Sequence, residues 1–145
     1  MQDKRPDGDS EGDTKGGGSN MIYRSLKNWK YELLEGVTTY VGIYAGIHGV
    51  VVTEYFTLSN GVLFIYPRYA WDGPSGPTFD TETFMRASLV HDVICQMCEE
   101  ELIDKKYRKV GDEMLRKICL EDGMSKFRAW YVYNAVRMYS KLKGY

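Results

Sequence analysis

Side chains able to do chemistry concentrate in two neighbouring stretches of this chain. Tyr69-Ala-Trp-Asp-Gly-Pro-Ser-Gly-Pro77 sets the Asp72 carboxylate in a Gly/Pro loop, and Leu89-Val-His-Asp-Val93 then brings an adjacent histidine and aspartate. On a helix His91 and Asp92 diverge by about 100°, so they must serve different partners. A histidine with one ring nitrogen held by a carboxylate keeps the other free to take a proton from water. Asp112, 21 residues later on the following helix, is the candidate orienter. Asp72 or Asp92, with carbonyls of the loop from Gly73 to Gly76, can hold a hard cation that polarises a substrate oxygen. The same residues also satisfy a structural staple, in which Asp72 caps the loop, His91 bonds a backbone carbonyl and Asp112 pairs with Arg108 one turn earlier. Residue types leave both arrangements open.

Other combinations carry less. His91, Cys95 and Cys98 fall at i, i+4 and i+7, and Cys119 would complete a tetrahedral zinc set. Zinc is nevertheless disfavoured, because structural zinc sites draw on loops and knuckles and buried cysteine is common packing material. A Cys95 nucleophile with His91 as its base lacks a third, orienting group. His48 sits in a turn between glycines and reads as a surface residue. Trp130, Tyr131, Tyr133, Tyr139 and Tyr145 alternate with Arg128, Arg137, Lys141 and Lys143, a mixture that suits a membrane interface or a protein partner. The preferred assignment of those aromatics is to the core, covering the sheet.

The elements that must position these groups are strands first and helices after. Runs at residues 29–34, 37–44, 49–58 and 62–66 are rich in β-branched and aromatic residues and are bounded by glycine-containing breaks. Asn60-Gly61 suits the positive φ angles of a two-residue hairpin turn. Beyond the Gly/Pro loop the period becomes helical. One helix follows an N-cap at Asp80 and is buried broadly. A second starts at Asp104 and ends at Asp122-Gly123, presenting Met114, Leu115 and Ile118, with Gly111 admitting a close neighbour. A third starts at Ser125 and presents Phe127, Trp130, Tyr131, Ala135, Met138 and Leu142. This order predicts an α+β fold, an N-terminal antiparallel β-meander followed by three α-helices.

The chain has 145 residues, and the first twenty contain no large apolar side chain after Met1. Residues 1–20 therefore read as a disordered leader or arm, and residues 21–145 as a single domain. The leader holds five acidic residues against three basic ones, which leaves a near-neutral body within a total charge of −1. Nothing in that balance forms an electrostatic footprint for nucleic acid. No apolar run approaches the roughly 18 residues of a transmembrane segment. Three cysteines, two of them inside a predicted helix, predict reduced thiols rather than a disulfide framework.

Trp71-Asp-Gly-Pro-Ser-Gly-Pro77, Leu89-Val-His-Asp92 and Tyr107-Arg-Lys-Val-Gly-Asp112 together resemble an uncharacterised family of small bacteriophage and prophage proteins. Those proteins pair a Gly/Asp/Ser/Pro loop with a His-Asp helix and a following Arg-x-x-x-Asp helix, and the resemblance covers most of residues 21–143. A more distant similarity is to phospholipases A2, which order a calcium-binding loop, a His-Asp pair and an aspartate on the antiparallel helix. Carried over, that similarity implies His91 as the base and Asp112 as its orienter. It implies calcium held by Asp92 with the loop of Asp72, Gly73 and Gly76, and a lipid or ester substrate. The expectation is a phage or prophage accessory protein, either such a hydrolase or a non-enzymatic virion component or host-factor-binding protein. It would reside in the bacterial host cytoplasm or on the virion.

Overall fold

The computed structural model describes residues 14–15, 21–26, 31–44, 49–73 and 82–145. Among the described residues eight strands precede three helices: β1 (Thr14–Lys15), β2 (Ile22–Ser25), β3 (Tyr31–Leu33), β4 (Val37–Tyr40), β5 (Val50–Val52), β6 (Phe56–Ser59), β7 (Val62–Ile65), β8 (Ala70–Trp71), α1 (Glu82–Glu99), α2 (Tyr107–Glu121) and α3 (Lys126–Leu142). This is the expected α+β order, but the strands divide into two antiparallel four-stranded sheets, β1-β2-β3-β8 and β4-β7-β6-β5. Thr14 and Lys15, within the stretch read as a leader, pair with Tyr23 and Ile22. Asp80 and His48 lie outside the described residues.

The second sheet is built on the Asn60-Gly61 turn. Asn60 and Gly61 take φ of 49° and 77°, and Ser59 pairs with Val62 across the hairpin. Both positive φ angles match a two-residue turn whose twist follows that of the strands. The run from Gly49 to Leu58, read as one strand, is broken at Thr53. Its hydroxyl accepts from the amides of Tyr55 and Phe56 and donates to the Phe56 carbonyl, which turns the chain between β5 and β6. Alternation then aims Phe56, Leu58, Leu63 and Ile65 into the core while Val62 and Phe64 face outward.

The helices form the other layer. Leu89, Val90, Val93, Ile94 and Met97 of α1 are fully buried, so this helix is covered on most of its circumference. Gly111 lets α2 approach it closely: a Cβ there would lie 2.8 Å from Ile94 Cγ2. The start of α2 falls at Tyr107 rather than Asp104. The Asp104 carboxylate accepts from the Lys106 amide, so it organises the turn before the helix. Ser125 caps α3 as expected, its hydroxyl accepting from the Arg128 amide at 3.2 Å. The buried face of α3 is not the expected one. Ala129, Val132 and Ser140 are buried and pack toward α2, while Phe127, Trp130, Tyr131, Met138 and Leu142 are exposed. Small side chains permit close helix–helix approach, and the bulky aromatics are displaced to the far side.

Candidate functional site

Two short strands bring the Asp72 segment against α1. β8 pairs with β3, with Tyr31 opposite Trp71 and Glu32 opposite Ala70. The indole Nε1 of Trp71 donates to Ser88 Oγ at 3.0 Å, and Ser88 Oγ donates to the Met85 carbonyl at 2.8 Å. Tyr69 Oη donates to Gln96 Oε1 at 2.8 Å. Gly73 then turns at φ +74°, where a Cβ would collide with the Tyr31 ring at 2.6 Å. The outcome is a cleft of about 320 Å³ between this strand and α1, lined by Asp72, Asp92, Cys95 and Glu99 among others.

On the neighbouring face of α1, His91 meets α2. His91 Nε2 lies 2.6 Å from Asp112 Oδ1, and Arg137 Nη1 of α3 donates to Asp112 Oδ2 at 2.8 Å. The Asp112 side chain is wholly buried. Burial opposes its charge, but the His91 contact and then the Arg137 bond outweigh that opposition and hold its pKa below the ordinary carboxylate value. An ionised carboxylate only accepts, so Nε2 carries the proton it shares with Asp112. A neutral ring then has its basic lone pair on Nδ1. Cys95 Sγ lies 3.6 Å from Nδ1 and 3.7 Å from Nε2. A sulfur equidistant from both nitrogens sits over the ring rather than along either lone pair. His91 retains 13% side-chain exposure.

The expected orientation of His91 by Asp112 is thus the observed geometry, while the expected Arg108–Asp112 pair is not. Asp112 is taken by His91 and Arg137, and Arg108 points elsewhere on α2. Its guanidinium stacks 4.6 Å from the Tyr145 ring centroid, with Glu99 Oε1 3.9 Å from Nη1. Arg137 was the partner not singled out: one basic residue among several on α3, without a local spacing to mark it. Also unanticipated is the fork from Arg86 to buried Asp122, with Nε to Oδ2 at 3.0 Å and Nη2 to Oδ1 at 2.9 Å, which ties α1 to the end of α2.

Asp92 belongs to the cleft rather than to the His91 cluster. Burial raises its pKa from 3.8 to about 7, helped by the charges of Asp72 and Glu99 and opposed by Arg108. The thiols are shifted in the protonated direction. Burial pushes Cys95 up to about 12, Cys98 to about 11 and Cys119 to about 12, and all three are free. A thiol at that value is no nucleophile at neutral pH. Among the described residues, no group of three or more His, Cys, Asp or Glu side chains is placed to hold a metal ion. Gly76 lies outside the described residues. Asp72 and Asp92 alone fall short of the roughly six to eight oxygens that calcium takes.

Residues 67–136 match the family described as "Protein of unknown function (DUF1353)", a span that runs from just before β8 into α3. It includes Asp72, His91, Asp92 and Asp112, and stops one residue short of Arg137. No curated protein and no solved structure matches the chain.

Proposed function

We propose that this chain is a phage or prophage accessory hydrolase that cleaves an ester bond, of phospholipid or related type, with His91 as general base. The observation that carries the reading is the 2.6 Å contact of His91 with a fully buried, ionised Asp112. That contact fixes the tautomer in which Nδ1 is the proton acceptor. In the proposed step Nδ1 removes a proton from water as the oxygen attacks the ester carbonyl. The imidazolium so formed is stabilised by Asp112 and returns the proton to the leaving alkoxide. Arg137 is a positioning residue, holding the second carboxylate oxygen. A calcium ion at Asp72 and Asp92, as the resemblance implies, would supply positive charge to the developing oxyanion.

The test uses His91→Gln. A glutamine amide places a donor near the position of Nε2, so the bond to Asp112 can persist while the base is lost. Across a panel of phospholipids and simple esters, the expected result is wild-type turnover reduced about 10²–10⁴-fold in the variant. Absence of wild-type turnover across the panel refutes the reading.

A second reading is favoured by one further observation. The outer face of α3 is apolar and exposed, which suits a non-enzymatic virion component or a protein that binds a host factor. Copurification of the wild-type protein with virions or a host protein, unaffected by His91→Gln, would support that reading.

A further inference from the structure

The face of α3 that turns away from α2 holds Phe127, Tyr131, Asn134, Met138 and Leu142 at i, i+4, i+7, i+11 and i+15, with Trp130 beside them. On a surface helix this stripe is ordinarily polar. Here Phe127 is 73%, Trp130 59%, Met138 66% and Leu142 82% exposed. Phe127 stacks on Trp130 with centroids 6.3 Å apart and meets Tyr131 edge-on at 5.9 Å, which makes a firm aromatic knob at the start of the helix. The side-chain charges that α3 itself brings have one sign. After Asp122 the sequence to Tyr145 contains no acidic side chain and five basic ones, Lys126, Arg128, Arg137, Lys141 and Lys143. Arg137 is engaged with Asp112, whereas Lys126 and Lys141 are exposed at the flanks of the stripe.

We propose that this face of α3 docks onto an anionic lipid surface, with the apolar stripe seated at the headgroup–acyl boundary and the lysines on lipid phosphates. Charge selects this occupant over a second copy. Two α3 faces brought together would oppose basic flanks with no acid on either side, whereas an anionic bilayer neutralises them. Shape selects it as well. The stripe is a ridge of projecting side chains along a helix of 17 residues, about 25 Å long, whose main packing partner is α2. Deformable lipid accommodates such a ridge without a preformed pocket, and tryptophan and tyrosine are the side chains favoured at that depth.

The experiment is cosedimentation of the full chain with large unilamellar vesicles, either phosphatidylcholine alone or phosphatidylcholine with about one-third phosphatidylglycerol. Expected are binding to the anionic vesicles at least about tenfold tighter than to neutral ones, and weakening with added salt. The double variant F127S/L142S should lose at least about tenfold of the anionic binding, and K126Q/K141Q should lose most of the preference for anionic lipid. Both variants change exposed side chains, and circular dichroism checks that the fold is kept. The proposal is overturned by lack of binding to anionic vesicles, by equal binding of F127S/L142S and wild type, or by a wild-type dimer in sedimentation equilibrium that the same variant dissociates. Vesicle binding is measured without turnover, so this proposal and the hydrolase reading fail separately.

Discussion

Asp92→Asn should stabilise the protein, and the gain should grow with pH. In the folded chain burial raises the Asp92 carboxyl from 3.8 to about 7, and the charges of Asp72 and Glu99 add to the effect. A carboxyl whose folded pKa lies above its unfolded value binds its proton more tightly when folded. Stability therefore falls as pH rises from about 4 through about 7, and the full cost applies above that window. At about 1.36 kcal/mol per pKa unit, the ceiling on that cost is about 4 kcal/mol. The cleft opens to water, which screens part of it, so about 2 kcal/mol is the working figure. Asparagine keeps the shape of the neutral acid and does not ionise. Urea denaturation of wild type and Asp92→Asn at pH 5 and pH 8 should show the variant's advantage growing across the interval, by about 0.6 kcal/mol at the working figure and about 2.6 kcal/mol at the ceiling. Asp72→Asn should flatten the wild-type pH dependence, because Asp72 contributes the largest of the neighbouring charges. Carboxyl carbon chemical shifts report the same titration directly. Parallel stability profiles for wild type and Asp92→Asn, or a titration of Asp92 near pH 4, would refute the assignment of a buried, charge-crowded carboxyl.

Asp112→Asn should cost about 3 kcal/mol at neutral pH, because Arg137 is left buried against a neutral amide; denaturant unfolding measures it. The folded pKa of Asp112 is lowered, so wild type's advantage exists above the ordinary carboxylate range, and the deficit should shrink as pH falls through the folded value. Gly111→Ala should destabilise by about 1–3 kcal/mol, since the added methyl meets Ile94 Cγ2 at 2.8 Å, and the same substitution should cost less in an Ile94→Ala background, where Cγ2 is gone. The three thiols should react with an aromatic disulfide reagent at pH 8 far more slowly than a free cysteine, and reach full reactivity on unfolding, because burial raises all three to about 11 or 12.

What could be read from the sequence follows the range of the interactions involved. The Asn60-Gly61 turn, the cap at Ser125 and the end of α2 at Gly123 each depend on residues within one turn, and each stands where local chemistry puts it. Pairing of β4 with β7 is a non-local choice that strand composition does not encode. The facing of α3 failed for a related reason. Hydrophobic periodicity weights Phe127, Trp130 and Leu142 heavily, yet the helix is seated by Ala129, Val132 and Ser140, whose virtue is small size. For the site, the following helix offers Asp112 as the partner of His91, while the i, i+4 rule offers Arg108 to Asp112 and gives no sight of Arg137. That rule sees one helix, and the second oxygen of Asp112 is satisfied from another.

Asp112 is where stability and chemistry become hard to separate. One buried carboxylate receives His91 from α1 and Arg137 from α3, so it joins all three helices at one point. The same contact that makes this a staple also fixes the proton on Nε2 and leaves the Nδ1 lone pair. Changing Asp112 therefore disturbs both functions, and a loss of activity there would not assign a role. His91→Gln does separate them, because a donor to Asp112 can remain while the acceptor at Nδ1 disappears. A cluster serving only as a staple predicts that His91→Gln is near neutral in every assay. Catalysis predicts a variant of near-normal stability with turnover lowered about 10²–10⁴-fold. The position of Cys95 adds a second discriminator: its sulfur lies over the His91 ring and also lines the cleft that holds Asp92. His91 is not among the residues that line that cleft, so Cys95 is the side chain common to the two. Under the hydrolase reading a change in the bulk beside Nδ1 should register in turnover, with Cys95→Met slower than Cys95→Ala.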